Sequence, residues 1–174
     1  MKVRGGIVVR GAAFALGLAV AFGAVVAWRV PPGQGVLGAD VIVAAANTGE
    51  IHADPVGPFL SATALQPGPR ADAATEELAL TNITAVPQVA RIRALPTSRD
   101  LDEALWISIA AGDREVFRGP LGELRTPSAD GVTIASGQTR TLEVAVWIPT
   151  GADEDFRGRI ESIDLDVVPE EVPS

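Results

Sequence analysis

The sequence contains no cysteine and only one histidine, His52. The first absence excludes a disulfide framework, a thiolate metal site and a cysteine nucleophile. The second excludes a zincin, which needs two histidines one helical turn apart with a glutamate between them. A serine nucleophile would have to draw on the same His52, so catalysis is disfavoured. Lysine is almost missing as well, with Lys2 alone against thirteen arginines. Outside the cell, a domain without disulfides must be held together by its core.

Long apolar runs are absent except for one. From Gly11 to Trp28 the chain reads "GAAFALGLAVAFGAVVAW" without a charge, preceded by Lys2, Arg4 and Arg10 and closed by Arg29. At about 1.5 Å of rise per residue, such a stretch crosses a hydrocarbon core of about 30 Å as a helix. Residues 1–29 therefore read as a signal peptide or signal anchor, with a transmembrane helix over about 7–28. The flanking basic residues keep the N-terminus cytoplasmic and send the rest across the membrane. "AAA" at Ala44 to Ala46 has the small-residue pattern of a cleavage site but lies too far past Trp28, whereas Val25-Val26-Ala27 is better placed and less typical. The balance leans toward an anchor or an inefficiently cut signal, with Trp28 beside Arg29 at the membrane interface.

The remainder is acidic. Four of the fourteen basic residues precede residue 30, leaving ten arginines against twenty-two carboxylates, or about −12. That charge repels nucleic acid and anionic lipid and favours solubility and cations. In "GADEDFRG", Asp153, Glu154 and Asp155 supply the hard oxygen ligands that Ca²⁺ prefers, without the alternating spacing of an EF-hand. A solvated turn competes with calcium as the reading. No cofactor is expected.

Residues 30–38, "VPPGQGVLG", form a Pro/Gly spacer. Beyond it lie ten short strand-like runs separated by Pro, Gly, Asp and Ser clusters, which predict one all-β domain over 39–168. The expected architecture is an immunoglobulin-like or jelly-roll antiparallel β-sandwich preceded by the membrane helix, and residues 169–174 are expected to fray. In "TLEVAVWIP", Leu142, Val144, Val146 and Ile148 share one face, and in "ALWISIA" Leu105, Ile107 and Ile109 do the same, as half-buried strands require. Trp106 and Trp147 fall on the opposite phase. They are the candidate contact surface, unless a loop covers them. In the last run the apolar positions shift from Phe156 and Ile160 to Ile163, Leu165 and Val167, which predicts a β-bulge or bend near Glu161-Ser162. "SRDLDEALW", with Ser98 as N-cap, and "PLGELRTP" each predict a short helical turn.

The stretch "LTNITAVPQVARI" changes character halfway. Asn82-Ile83-Thr84 matches a glycosylation acceptor, but Asn and Thr followed by Pro87 read first as a corner between two strands.

The Leu65-Gln66-Pro67-Gly68 turn, the strand ending in "LTN" with its proline corner, and the Ser-Gly turn launching "IASGQTRTLEVAVWIP" together resemble the TasA/camelysin family of exported bacterial surface proteins, over roughly residues 40–168. The resemblance implies a secretory N-terminus, a β-sandwich, and members that build biofilm matrix fibres or coat the cell. Some camelysin relatives are classed as metallopeptidases, a role that the single histidine here disfavours. The spacer after the membrane segment departs from the family and argues against prompt release.

The expected function is therefore a non-catalytic, exported structural or adhesive protein on the bacterial membrane or cell surface, tethered or secreted. It is held by its N-terminal helix and can associate with itself or other surface proteins. If it polymerises by strand donation, residues 40–53 are the expected donor; paired within their own domain, they imply a monomer. The alternative is a tethered immunoglobulin-like module that binds a protein, a glycan or calcium.

Overall fold

The computed structural model describes residues 38–172, without the side chain of Glu154. The expected membrane segment (1–29), the spacer up to residue 37 and the last two residues lie outside the described residues. Among those described, no helix is long and apolar enough to cross a membrane.

The described chain is all-β. Its strands are β1 (Ala39–Ala45), β2 (Ile51–Asp54), β3 (Gly57–Leu65), β4 (Pro67–Gly68), β5 (Ala74–Asn82), β6 (Gln88–Pro96), β7 (Trp106–Ala111), β8 (Arg114–Pro120), β9 (Val132–Ile134), β10 (Thr139–Pro149) and β11 (Ile160–Glu171). Helix among the described residues is confined to 3₁₀ turns at Arg70–Asp72, Leu121–Arg125 and Glu154–Phe156. The turn expected after Ser98 closes as one loop, with Leu105 N–H donating to Leu101 O at 2.9 Å and Asp100 N–H to Ser98 Oγ at 3.1 Å.

Two sheets pack in a sandwich-like arrangement. One has the order β3-β1-β11-β6-β9 and the other β2-β5-β10-β7-β8, with β4 added beside the end of β10. Alternation explains the burial. On β10, Leu142, Val144, Val146 and Ile148 are fully buried; on β7, Ile107 and Ile109; on β6, Ala90, Ile92 and Ala94; on β11, Ile163, Leu165 and Val167. Each strand contributes every second residue to one apolar layer, and burying a Leu, Ile or Val side chain is worth roughly 1.5–3 kcal/mol.

Three expectations are corrected. The sheets are not purely antiparallel: β1 runs parallel to β11, from Asp40 opposite Ile160 to Ala45 opposite Leu165, and β4 runs parallel to β10. The β-bulge expected near Glu161-Ser162 is absent, because the register of β11 against β1 passes through both residues unbroken. The phase conflict resolves differently: Phe156 is buried from the 3₁₀ turn before the strand, Glu161 takes the inward position, and Ile160 is left 72% exposed. The irregularities fall instead between β1 and β3 and between β7 and β8. Finally, residues 169–171 do not fray, since Pro169, Glu170 and Glu171 pair with Ala90, Val89 and Gln88.

β1 does not stand free. It is hydrogen-bonded on both sides, antiparallel to β3 and parallel to β11. The segment expected as a strand donor thus occupies an interior place in its own sheet.

Candidate functional site

The "LTN" corner is a structural joint. Asn82 is completely buried. Its amide nitrogen donates to Val86 O at 2.8 Å and Ile134 O at 2.9 Å. Its side-chain oxygen accepts from Thr84 N at 2.9 Å and Thr84 Oγ1 at 2.8 Å. One side chain therefore closes the corner between β5 and β6 and ties it to β9 in the same sheet as β6. A buried amide with all its bonds made leaves no room for a glycan.

The two tryptophans meet. Trp147 and Trp106 are register partners on β10 and β7, with ring centroids 5.9 Å apart and planes tilted by 54°. Trp147 is 6% exposed, and Trp106 is half-buried. On the same face Ser108 and Ala145 are also buried. Arg70, from the 3₁₀ turn after β4, reaches over this face, donating to Ser108 Oγ through Nη2 at 3.1 Å and approaching Glu143 at 3.9 Å. Of the pair expected as a contact surface, only Trp106 retains appreciable exposure, and the segment that begins with the Leu-Gln-Pro-Gly turn lies over the sheet beside them.

The acidic loop lines a recess of about 600 Å³, together with residues that are distant in sequence. Asp153, Asp155 and Phe156 come from the β10–β11 connection, and Asp100, Asp102 and Glu103 from the β6–β7 connection. Nothing local in the sequence links these two loops. Glu161 ties the β6–β7 connection to β11. Buried at the start of β11, its carboxylate accepts from Thr97 Oγ1 at 2.8 Å, from Ser98 N–H at 3.0 Å and from Ser98 Oγ. A buried carboxylate with three donors is compensated, whereas an unpaired one is costly.

Part of the recess charge is already paired. Arg125 makes a two-pronged contact with Asp102, at 2.9 Å from Nε and 2.8 Å from Nη2, and also donates to Ser98 O. The hydrogen bond that it donates to the Asp102 carboxylate holds the Arg125 guanidinium above its ordinary, already high, pKa. Arg159 pairs with Asp100 at 3.0 Å. Glu103, Asp153 and Asp155 remain as the recess's acidic lining, which suits attraction of cations more than their coordination. Among the described residues no three His, Cys, Asp or Glu side chains are placed to hold a metal ion. Of the calcium candidates, Asp153 and Asp155 line the recess and the side chain of Glu154 lies outside the described residues.

His52 is exposed on edge strand β2, opposite Thr81 of β5, and does not line the acidic recess.

No protein-family profile matches the chain. No curated protein matches it either. Among solved structures, the N-terminal domain of PorA superposes with a TM-score of 0.28 at 7% identity, covering 76% of this chain and 88% of that one. A correspondence of that size supports neither a shared fold nor a shared role.

Proposed function

We propose that the chain is an exported, non-catalytic cell-surface protein of the structural or adhesive kind, tethered by its N-terminal segment and carrying an immunoglobulin-like sandwich that resists tension. The observation behind this reading is the position of β1. Directly after the spacer, the chain enters a strand that is hydrogen-bonded on both sides and parallel to the last strand. A pull on the N-terminal end of β1 against the far end of β11 acts along the strand axes in opposite directions. The evenly spaced bonds of the parallel pair are then loaded together in shear rather than opened one at a time. A domain joined to a membrane through its first strand gains from that geometry, and it accords with the resemblance to TasA/camelysin surface proteins. Polymerisation by strand donation would require β1 to leave this slot for the same slot in a neighbour, a domain swap.

Two measurements test the reading. Fractionation with protease treatment of intact cells is expected to find the chain membrane-bound with its domain outside, and a cytosolic chain would overturn it. Single-molecule pulling between the two termini is expected to need several-fold more force than pulling between Thr48 and the C-terminus, which opens β1 and β11 from the same end. Equal forces would remove the mechanical argument.

A further inference from the structure

Strand β10 outruns its neighbour. Its register with β5 begins at Thr139, opposite Thr81, whereas its register with β7 begins only at Glu143, opposite Ala110. β7 goes no further because the chain turns back into β8 through Gly112, at φ 59°. Among the described residues, Thr139 to Thr141 are thus paired on one side alone. Asn82 N–H donates to Gln138 O and Gly137 N–H to Asn82 O, both at 3.0 Å, so by alternation Leu80 and Arg140 exchange the next bonds. The backbone N–H and C=O groups of Thr139 and Thr141 therefore turn the other way, into the lane beyond the end of β7. That lane is a recess of about 520 Å³, walled at one end by the Ala111–Gly112 turn and across from β10 by Val132 and Thr133 of β9.

The recess is opposite in charge to the rest of the domain. Beyond residue 29 there are twenty-two carboxylates against ten arginines, yet the lining holds Arg114 and Arg140 and no carboxylate, the turn's own Asp113 lying outside it. Arg140 has the phase of Leu142 and Val144, which puts it on the inward face at the mouth between the sheets. No carboxylate among the described residues pairs with it. Arg114 has one loose contact, 3.5 Å from exposed Asp130.

We propose that this recess captures the C-terminal end of an extended peptide, laid parallel to β10 beside Thr139–Thr141 with its carboxylate between Arg114 and Arg140. Three features choose that ligand. The open side of β10 offers backbone acceptors as well as donors, which an added strand satisfies and a bare anion does not. The turn blocks the lane, so the peptide has to end there. Arg114, the register partner of Ala111 at that turn, and Arg140 beside it select a carboxylate, which guanidinium binds in a fork, over an amino terminus. The site lies at the other end of β10 from the β10–β11 connection, where Gly158 N–H donates to Gly38 O at 2.9 Å. It stands independently of the exported role.

The test titrates the full-length protein in mild detergent with two pools of fluorescein-labelled tetrapeptides randomised at the last two positions, one with free carboxyl ends and one amidated, read by fluorescence anisotropy. The free-acid pool is expected to bind at least about tenfold more tightly than the amidated pool. Arg140→Gln, at an exposed position, is expected to lose that preference with an unchanged melting temperature. Arg118→Gln on β8, the same loss of charge outside the recess, is expected to keep it. Hydrogen exchange at the Thr139 and Thr141 amides is expected to slow when the free-acid pool is bound, since they gain strand partners, and not when acetate alone is added. Equal binding of the two pools, no binding of either, a preference untouched by Arg140→Gln or lost equally with Arg118→Gln, or acetate reproducing the protection would each overturn the proposal.

Discussion

Trp147 and Trp106 lie opposite each other on β10 and β7, their rings 5.9 Å apart and tilted by 54°, on the face of the sheet that points away from the aliphatic core. Aromatic pairs in this geometry add about 0.5–1.5 kcal/mol beyond the area they bury. Because Trp147 is nearly inaccessible and its partner is not, the two should respond differently to truncation. Trp147→Ala is expected to cost about 3–5 kcal/mol, and Trp106→Ala clearly less. Urea melts of both variants measure this, and equal losses would mean that Trp147 is not the buried member.

Asn82→Ala should be among the most damaging polar substitutions in the chain. It removes both amide donors, leaving Ile134 O and Val86 O without them, and deletes the acceptor used twice by Thr84. With each net hydrogen bond worth about 0.5–1.5 kcal/mol and orphaned buried groups costing more, a loss of about 3 kcal/mol is expected by chemical denaturation. Asn82→Asp keeps the acceptor and loses the donors, so it should fall short of wild type as well. Mass spectrometry of protein from a glycosylating host should find Asn82 unmodified.

The Arg125–Asp102 pair is partly screened, with side chains 29% and 19% exposed. A double-mutant cycle with Arg125→Ala and Asp102→Ala should return a coupling of about 1 kcal/mol rather than the several expected of a buried pair. The folded-state pKa of Arg125 is raised. Its contribution is therefore complete below the unfolded pKa and is lost only as pH rises through the folded one, above the ordinary guanidinium range. Stability followed from neutral to mildly alkaline pH should show no step attributable to Arg125, and a step abolished by Arg125→Ala would contradict this.

Gly38 stands where β1 begins. A Cβ there would lie 2.3 Å from the carbonyl carbon of Ala64 and 2.6 Å from Leu65 O, both backbone atoms of β3 that no rotamer change can move. Gly38→Ala should push β1 and β3 apart at that end and cost roughly 1–3 kcal/mol. Hydrogen exchange is expected to show faster amide exchange in β1 and β3, and little change in β7 and β8.

Local pattern revealed the strands because alternation is a property of neighbouring residues. Leu142, Val144, Val146 and Ile148 are inward on β10 as their spacing requires, and the ten runs read from the sequence each contain a strand, with ends moved by at most three residues. The two-residue β4 is too short to have a period. Which strands pair is not a local property, and nothing in "DVIVAAA" says that β1 lies beside β11 and runs parallel to it. The bulge expectation failed for a related reason. A break in apolar phase admits either an extra residue or an inward polar one, and Glu161 occupies the inward place because Thr97 and Ser98, more than sixty residues earlier, supply its hydrogen bonds.

The acidic recess shows the same division. "GADEDFRG" was legible as a loop with carboxylates, but its meeting with Asp100, Asp102 and Glu103 depends on two connections reaching the same end of the sandwich. By itself the sequence determined the absence of sulfur chemistry, the acidity beyond residue 29 and the two-residue rhythm of the strands, because composition and alternation need no partner. Tertiary structure alone decided that Trp147 is buried, that the Asn82 amide finds its partners on Val86, Ile134 and Thr84, and that β1 lies between β3 and β11. Burial and pairing depend on what distant segments bring to each residue, and that is set only when the two sheets close on one another.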